Sequence, residues 1–525
     1  MRTNRTWVLA LLSLAGAAVF TACGDDDDGD ILPLTDLGVD LGADLGRDAG
    51  DPPDLGTDLG TDSGLPPVDL GSVDLGGVDF DGGPPPRTCV VATAMTPRTV
   101  VPASITVNAT WTCDVVYELN DFTWVEGATL TIEPGTTVVG RAGTRGALLI
   151  ARTGRLDAAG TATRPIVFTS SNALTGAVAP PVPGDWGGIA MLGTAQNNLV
   201  RVDTSTTPPT VTTERIQGSL EGINPAEFGA KALYGAISAA TADPAHNCGT
   251  ITYARIEYAG YEYATGNELN GLTLGGCGSA TTLNHIQVSF GKDDGIEFFG
   301  GNASIHHAIV VAPGDDFLDY DEGYSGSVQF FLAQGRNYAG EERGIEADNL
   351  DENNDATPRT NATIYNATFI GSGMSNSTGP YFRRGSATTI RNFISQGQAR
   401  ECVRVDGVVT EGQLTGTPAG LVISNGLVGD CGPMPLRSQT PAGLTVLTAG
   451  VVVASAGGTG IDLVAARSFT APNFTPAAGS AATAGAATVP AGGIFEAAAY
   501  LGATPPGEAA ASAWYRASWT SWRDL

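Results

Sequence analysis

The chain has 525 residues, 42% of them hydrophobic, with a formal net charge of −28. That length supports a large core, and the acidic balance argues against nucleic acid as a partner. The seven cysteines include no CxxC spacing, which argues against a structural zinc site.

Residues 1–22 read as an export signal: Arg2 and Arg5 are followed by the apolar run "WVLALLSLAGAAVF". "FTAC" then ends on Cys23, with small residues before the cysteine as in a bacterial lipobox, so Cys23 is expected to be the lipid attachment site. Residues 23–87 repeat an Asp-Leu-Gly unit. Within 25–86 there are 17 Asp, no Glu and one Arg, a charge of −16. A four-residue step is no strand period, and a glycine at every fourth position opposes a helix, so this segment is predicted to be a disordered, self-repelling tether. The expected location is the cell envelope: anchored in the outer membrane by the N-terminal lipid, and periplasmic or surface-exposed.

From residue 88 the texture becomes short β-branched runs broken by Gly, Asn and Pro, as in "ATLTIEPGTTVVG" (128–140). The remaining cysteines fall into three local pairs, separated by 24, 29 and 29 residues. The expected disulfides are Cys89–Cys113, Cys248–Cys277 and Cys402–Cys431.

A repeat then emerges. "LNHIQVSF", "IHHAIVVA", "IYNATFIG", "IRNFISQG" and "ISNGLVGD" share an apolar-x-Asn/His opening, at His285, His307, Asn366, Asn392 and Asn425. A second set, "GIEFF", "FLDYD", "GIEAD", "YFRRG" and "CVRVD", has Glu297, Asp319, Glu346, Arg383 and Arg404 as third residues. His285 to Glu297, His307 to Asp319 and Asn392 to Arg404 each span 12 residues, and the doublets Asp293-Asp294 and Asp315-Asp316 lie 22 apart. A fixed internal offset with elastic returns is the mark of a coil. The fold class is therefore all-β: a single-stranded parallel β-helix over 88–525, expected to end in an aromatic cap around Trp514, Trp519 and Trp522. Like positions on successive coils become columns. The Asn/His column is expected to be a turn ladder bonding backbone groups the turn leaves unpaired, or, for its two histidines, a pair of metal ligands.

"GDWGGIAMLG", "YARIEYAGYEYATGNELNGLTLGGCGS", "VSFGKDDGIEFFGG" and "DDFLDYDEGYSGSVQF" resemble a family of bacterial exported and lipid-anchored right-handed β-helix proteins related to the pectin-lyase-like superfold. The resemblance covers roughly 120–525 and implies the fold. The superfold hosts lyases, hydrolases, adhesins and inert rods, so function must come from the site.

Three readings of the acidic column stand side by side. It is a solvated face screened by nearby arginines; or a calcium site of Asp294, Asp316, Glu297 and Asp319, with "DNLDENND" (348–355) as a lesser candidate; or an acid/base pair for a glycosidic bond, with Glu297, Asp319, Lys292 and Arg383 as catalytic candidates. Lys292 is either a base or a surface lysine pairing with Asp293. The favoured function is a monomeric, non-enzymatic surface module that binds polysaccharide, and the alternative is a calcium-assisted polysaccharide lyase or glycoside hydrolase.

Overall fold

The computed structural model describes residues 87–203, 205–206, 210–336 and 342–524. The expected signal peptide, Cys23 and the expected tether up to residue 86 lie outside the described residues. Two long parallel sheets carry the fold. The first runs from Arg98–Val100 to Val451–Val453, and the second has eleven strands from Ser104–Ile105 to Leu436–Ser438. Each strand pairs in parallel with its equivalent one coil away, so the chain is a right-handed parallel β-helix, as the repeat and the resemblance predict. Alternate residues point inward, and the interior is a continuous aliphatic and aromatic column including Ile286, Ile296, Phe298, Leu318 and Phe331.

The first sheet is bent. In the early coils Arg155–Ala159 and Ile166–Ser170 are separate strands, but both pair with the single strand Gly249–Glu257, on either side of Tyr253. Tyr253 has φ +47°, and the same left-handed corner recurs at His285, His307, Phe330, Asn366, Asn392 and Asn425, all between φ +53° and +56°. A left-handed residue turns the strand without ending it. Asn adopts that conformation at least cost among residues with a Cβ, which is why the repeat shows Asn there.

The partners of this column differ from the expectation. Asn366 donates to Tyr500 O at 2.9 Å, and Asn425 to Gly485 O at 2.8 Å. Asn392 donates to Ala487 O at 2.9 Å and accepts from Ala487 N at 2.7 Å. The side chains thus hold a distant segment, not the turn. Toward earlier coils the corner is a stack of rings. Tyr253, His285 and His307 succeed each other at 4.4 Å, and Phe330 follows at 4.8 Å. The imidazoles lie face to face, and burial pushes His285 down to about 4, so they serve as neutral packing surfaces.

The segment they hold runs backward along the stack of coils. Residues 485–502 meet the corners at 425, 392 and 366; Trp514 then packs on His307, Trp519 on His285, and Arg523 pairs with Glu257. The aromatic C-terminal region is therefore a lateral strap, not a cap. It covers a second apolar layer on the outside of the first sheet, where Phe290, Ile309, Leu332, Ile370 and Ile394 meet Phe474, Leu501, Tyr515 and Trp519. Its aromatic content reads equally well as a cap in sequence, because composition does not reveal direction. Asn392→Ala is expected to lower stability by about 2–3 kcal/mol, from two lost hydrogen bonds and a left-handed Ala. Asn392→Gly relieves the backbone part only. Denaturation of the two variants side by side checks this.

All three expected disulfides are present, with Cα separations of 4.6, 5.8 and 5.6 Å. Residues 193–248 form an excursion that covers the outer face of the second sheet in its early coils, packing Leu199, Leu220, Ile223 and Tyr234 on Phe122, Trp124 and Leu149. The outer face of the later coils carries the polar column.

Candidate functional site

On the second sheet Ile296 and Phe298 point inward, so Glu297 between them points out, and Leu318-Asp319-Tyr320 repeats the arrangement. In register the column reads Thr273, Glu297, Asp319, Glu346, Tyr381, Arg404 and Arg437. The 12-residue offset correctly stacks Glu297 on Asp319. Matching the segments by their third residue, with 17 residues from Asn366 to Arg383, places one residue wrongly: Tyr381, not Arg383, sits between Glu346 and Arg404. The return loop before this strand has a different length, so the third residue of "YFRRG" is not the equivalent of the third residue of "GIEFF".

The Asp doublets do lie on neighbouring coils, and their second members have a backbone task. Asn270 Oδ1 accepts from Asp294 N at 3.1 Å, Asp294 Oδ1 from Asp316 N at 2.8 Å, and Asp316 Oδ1 from Arg343 N at 2.9 Å. Each side chain thus satisfies the amide one coil on. Asn270 and Arg343 are members the repeat did not disclose. Their signal is present in "NGLTL", "DGIEF", "DFLDY" and "RGIEA", where Asn, Asp, Asp and Arg hold the same place.

Among the described residues three carboxylate trios line this face: Asp293, Asp294 and Asp315 form one, and the other two share Asp319. In each, the facing oxygens lie within 4.8 Å of one another. In the trio Asp316, Asp319 and Glu346, two members are paired with arginine. The Arg343 guanidinium lies 3.2 Å from Asp316 and 3.0 Å from Glu346, and Arg383 lies 2.6 Å from Glu346. The trio Asp294, Glu297 and Asp319 has no such partner: among the described residues, no Lys or Arg pairs with any of its members. Asn270 donates to the Glu297 carboxylate, and Asp319 Oδ1 is buried without a hydrogen-bond partner.

The electrostatics follow from that arrangement. Burial, then Asp293, Asp316 and the other carboxylates, raises Asp294 well above the usual range. Burial and Asp319 do the same to Glu297, and burial and Glu346 to Asp319. Glu346 is raised by its burial even though Arg343 and Arg383 oppose the shift. A proton or a divalent cation shared by the unpaired trio removes the repulsion.

The cationic candidates are engaged elsewhere. Lys292 pairs with Glu262 and, at 3.3 Å, with Glu268. Burial works against its charge, but the two glutamates outweigh it and hold its pKa above the ordinary value. Arg383 also grips Asp348 at 3.0 Å, and Arg384 grips the same carboxylate at 2.7 Å. Asp348 opens "DNLDENND", so that acidic run is tied to arginines. Its Asn349 is buried, donating to Asn354 O and Ala356 O. Beyond Glu346 the Tyr381 ring carries Arg404 at 4.4 Å and Arg383 at 5.6 Å, and its hydroxyl donates to Asp406 at 2.9 Å. The outer face therefore passes from paired acids, through an aromatic ring, to guanidinium groups.

The sequence model of a family described as a pectate-lyase like beta helix domain matches residues 103–422. No curated protein and no solved structure matches the chain.

Proposed function

The chain belongs to the family of pectate-lyase-like β-helix domains, which points to a carbohydrate-related function, and from that premise we propose that it is a non-enzymatic polysaccharide-binding module of the cell envelope. The ligand lies along the column from Glu297 to Arg437, over coils spaced at roughly 4.8 Å. The observation that carries this reading is the engagement of every cationic group named as a catalytic candidate. Lys292 sits in a double ion pair that raises its pKa, and Arg383 bridges Glu346 and Asp348, so neither is poised to abstract a proton. Calcium is the optional cation of the site, held by Asp294, Glu297 and Asp319; Asp316, the fourth candidate, is already engaged by Arg343. The lipid on Cys23 and the tether to residue 87 hold the monomeric β-helix at the outer membrane.

One observation favours the alternative, a calcium-assisted lyase or glycoside hydrolase. Glu297 and Asp319 stand on adjacent coils with raised pKa values, the condition for a carboxyl group that delivers a proton. A polysaccharide array, run with the full chain and with the Glu297→Gln/Asp319→Asn variant, separates the two. Retention of a glycan by the parent, weakened at least about tenfold in the variant and without release of reducing ends or unsaturated sugars, is the expected result. Product formation that disappears in the variant establishes the enzyme instead. Binding indifferent to the double substitution removes this face from consideration.

A further inference from the structure

The three disulfides do not share one environment. Arg164 reaches the first of them. Its Nη2 lies 2.9 Å from Cys89 Sγ and 3.1 Å from Cys113 Sγ, and donates to Pro134 O at 2.7 Å, while its Nε is buried without a partner. Gly135, at φ +87°, passes alongside: a Cβ there would stand 3.0 Å from Cys89 Sγ and 3.4 Å from Arg164 Nε. Carbonyl oxygens approach all three disulfides, Cys89 Sγ lying 3.8 Å from Pro134 O, but among the described residues only the first has a guanidinium beside its sulfurs. Cys277 Sγ lies 3.3 Å from Met191 O, and Cys402 Sγ 3.9 Å from Gly429 O.

A disulfide is neutral and gains little from a guanidinium. A thiolate gains an ion pair. Carbonyl oxygens repel a thiolate. A cation beside both sulfurs therefore favours the reduced form, and speeds departure of a thiolate when the bond is attacked. Access supplies the direction of attack. Cys113 is fully buried and Cys89 half-buried. The surrounding charges are mixed. Glu133 accepts from Cys113 N at 3.3 Å and opposes a thiolate, while Arg87 lies 3.6 Å from Glu133 and 3.4 Å from Asp114, offsetting both.

We infer that Cys89–Cys113 is a thiol–disulfide exchange site for thiols of low molecular weight, whereas Cys248–Cys277 and Cys402–Cys431 are inert structural bonds. The thiolate of the small molecule attacks Cys89 Sγ. The Cys89–Cys113 bond breaks, and Cys113 leaves as a thiolate against Arg164. A second thiolate attacks the small-molecule sulfur of the mixed disulfide and releases Cys89. The two protein sulfurs are reduced by two electrons, two thiols are oxidised to one disulfide, and solvent supplies the protons the protein thiols take up. Opening this bond frees the first described segment of the chain, which is otherwise attached to the coils by bonds such as Val90 N to Cys113 O at 2.8 Å and Ala94 N to Thr175 O at 3.0 Å.

The test is equilibration of the folded full chain in a series of glutathione redox buffers, followed by acid quench, alkylation and peptide mapping of each pair. Cys89–Cys113 is expected to open at a thiol-to-disulfide ratio at least about tenfold lower than either other bond. Arg164→Gln is expected to raise its ratio about tenfold while leaving the others unchanged, and Arg164→Lys to retain most of the difference. Simultaneous opening of all three bonds in the parent, or earlier opening of either other pair, overturns the inference without recourse to a variant. So does an Arg164→Gln protein whose Cys89–Cys113 bond opens as it does in the parent.

Discussion

Arg343→Met is expected to destabilise the protein by about 3–5 kcal/mol, the cost of stripping one partner from a buried ion pair. Arg343 is buried, as are Asp316 and Glu346, and its guanidinium lies within 3.2 Å of both carboxylates. Methionine fills the aliphatic volume but leaves two acids facing Asp319 across adjacent coils. The loss reads as a lower thermal midpoint. It shrinks as the pH is lowered and Glu346, whose pKa burial raises, takes up a proton. An unchanged midpoint at neutral pH refutes the view that Arg343 is what compensates the carboxyl groups packed around it. Arg384→Met, which removes a half-exposed partner of Asp348, serves as the milder comparison.

The second large effect is a dependence on pH that runs opposite to acid denaturation. Asp294, Glu297, Asp319 and Glu346 have folded-state pKa values raised by burial, Glu322 is pushed up to about 8 and Glu342 to about 7. In the unfolded chain these groups lose their protons near 4 to 4.5, while the folded protein keeps them to higher pH. Between those limits the folded state binds more protons, so stability is greatest near pH 4 and falls as the pH rises toward 8. In chelator the thermal midpoint is expected to drop by several degrees between pH 5 and pH 8. Glu297→Gln/Asp319→Asn flattens part of that slope. If calcium occupies the unpaired trio, adding it at pH 8 restores stability by about 2.7 kcal/mol at a concentration one hundred times its dissociation constant, and has no such effect in the double variant. A midpoint that rises from pH 5 to pH 8 in chelator contradicts the assignment of neutral acids to the column.

How much of this was legible in sequence follows from where the repeat is imposed by the backbone. The 22-residue step and the 12-residue offset survive between His285 and Asp319 because two consecutive coils have equal turns, and there the register of Glu297 on Asp319 is right. Once the return loop changes length the count fails, and matching "YFRRG" to "GIEFF" by its third residue lands on Arg383 instead of Tyr381. The left-handed corner demands a conformation, not a residue type, so Tyr253 and Phe330 occupy it without announcing themselves. The partners of the column were harder still. Asn392 and Ala487 are 95 residues apart, and nothing periodic links them. The carboxylates looked like a site because their charge was visible, but the ladder that Asp294 and Asp316 form with Asn270 and Arg343 is made of backbone amides, which a sequence does not print.

The backward course of the strap also sets a timetable for biosynthesis. Arg255 donates to Trp519 O, a residue made 264 positions later, and Gln287 to Ser521 O, 234 positions later. At about 5–20 residues per second, the middle coils wait on the order of ten to fifty seconds for the polypeptide that shields Phe290, Ile309 and Leu332. During that interval the nascent coils present an oily flank to solvent and to other copies of the chain. Premature termination anywhere between 454 and 513 leaves the ring stack uncovered permanently. Completion of the chain is thus coupled to burial of its middle, so that truncated products remain recognisable to chaperones and proteases by that open flank.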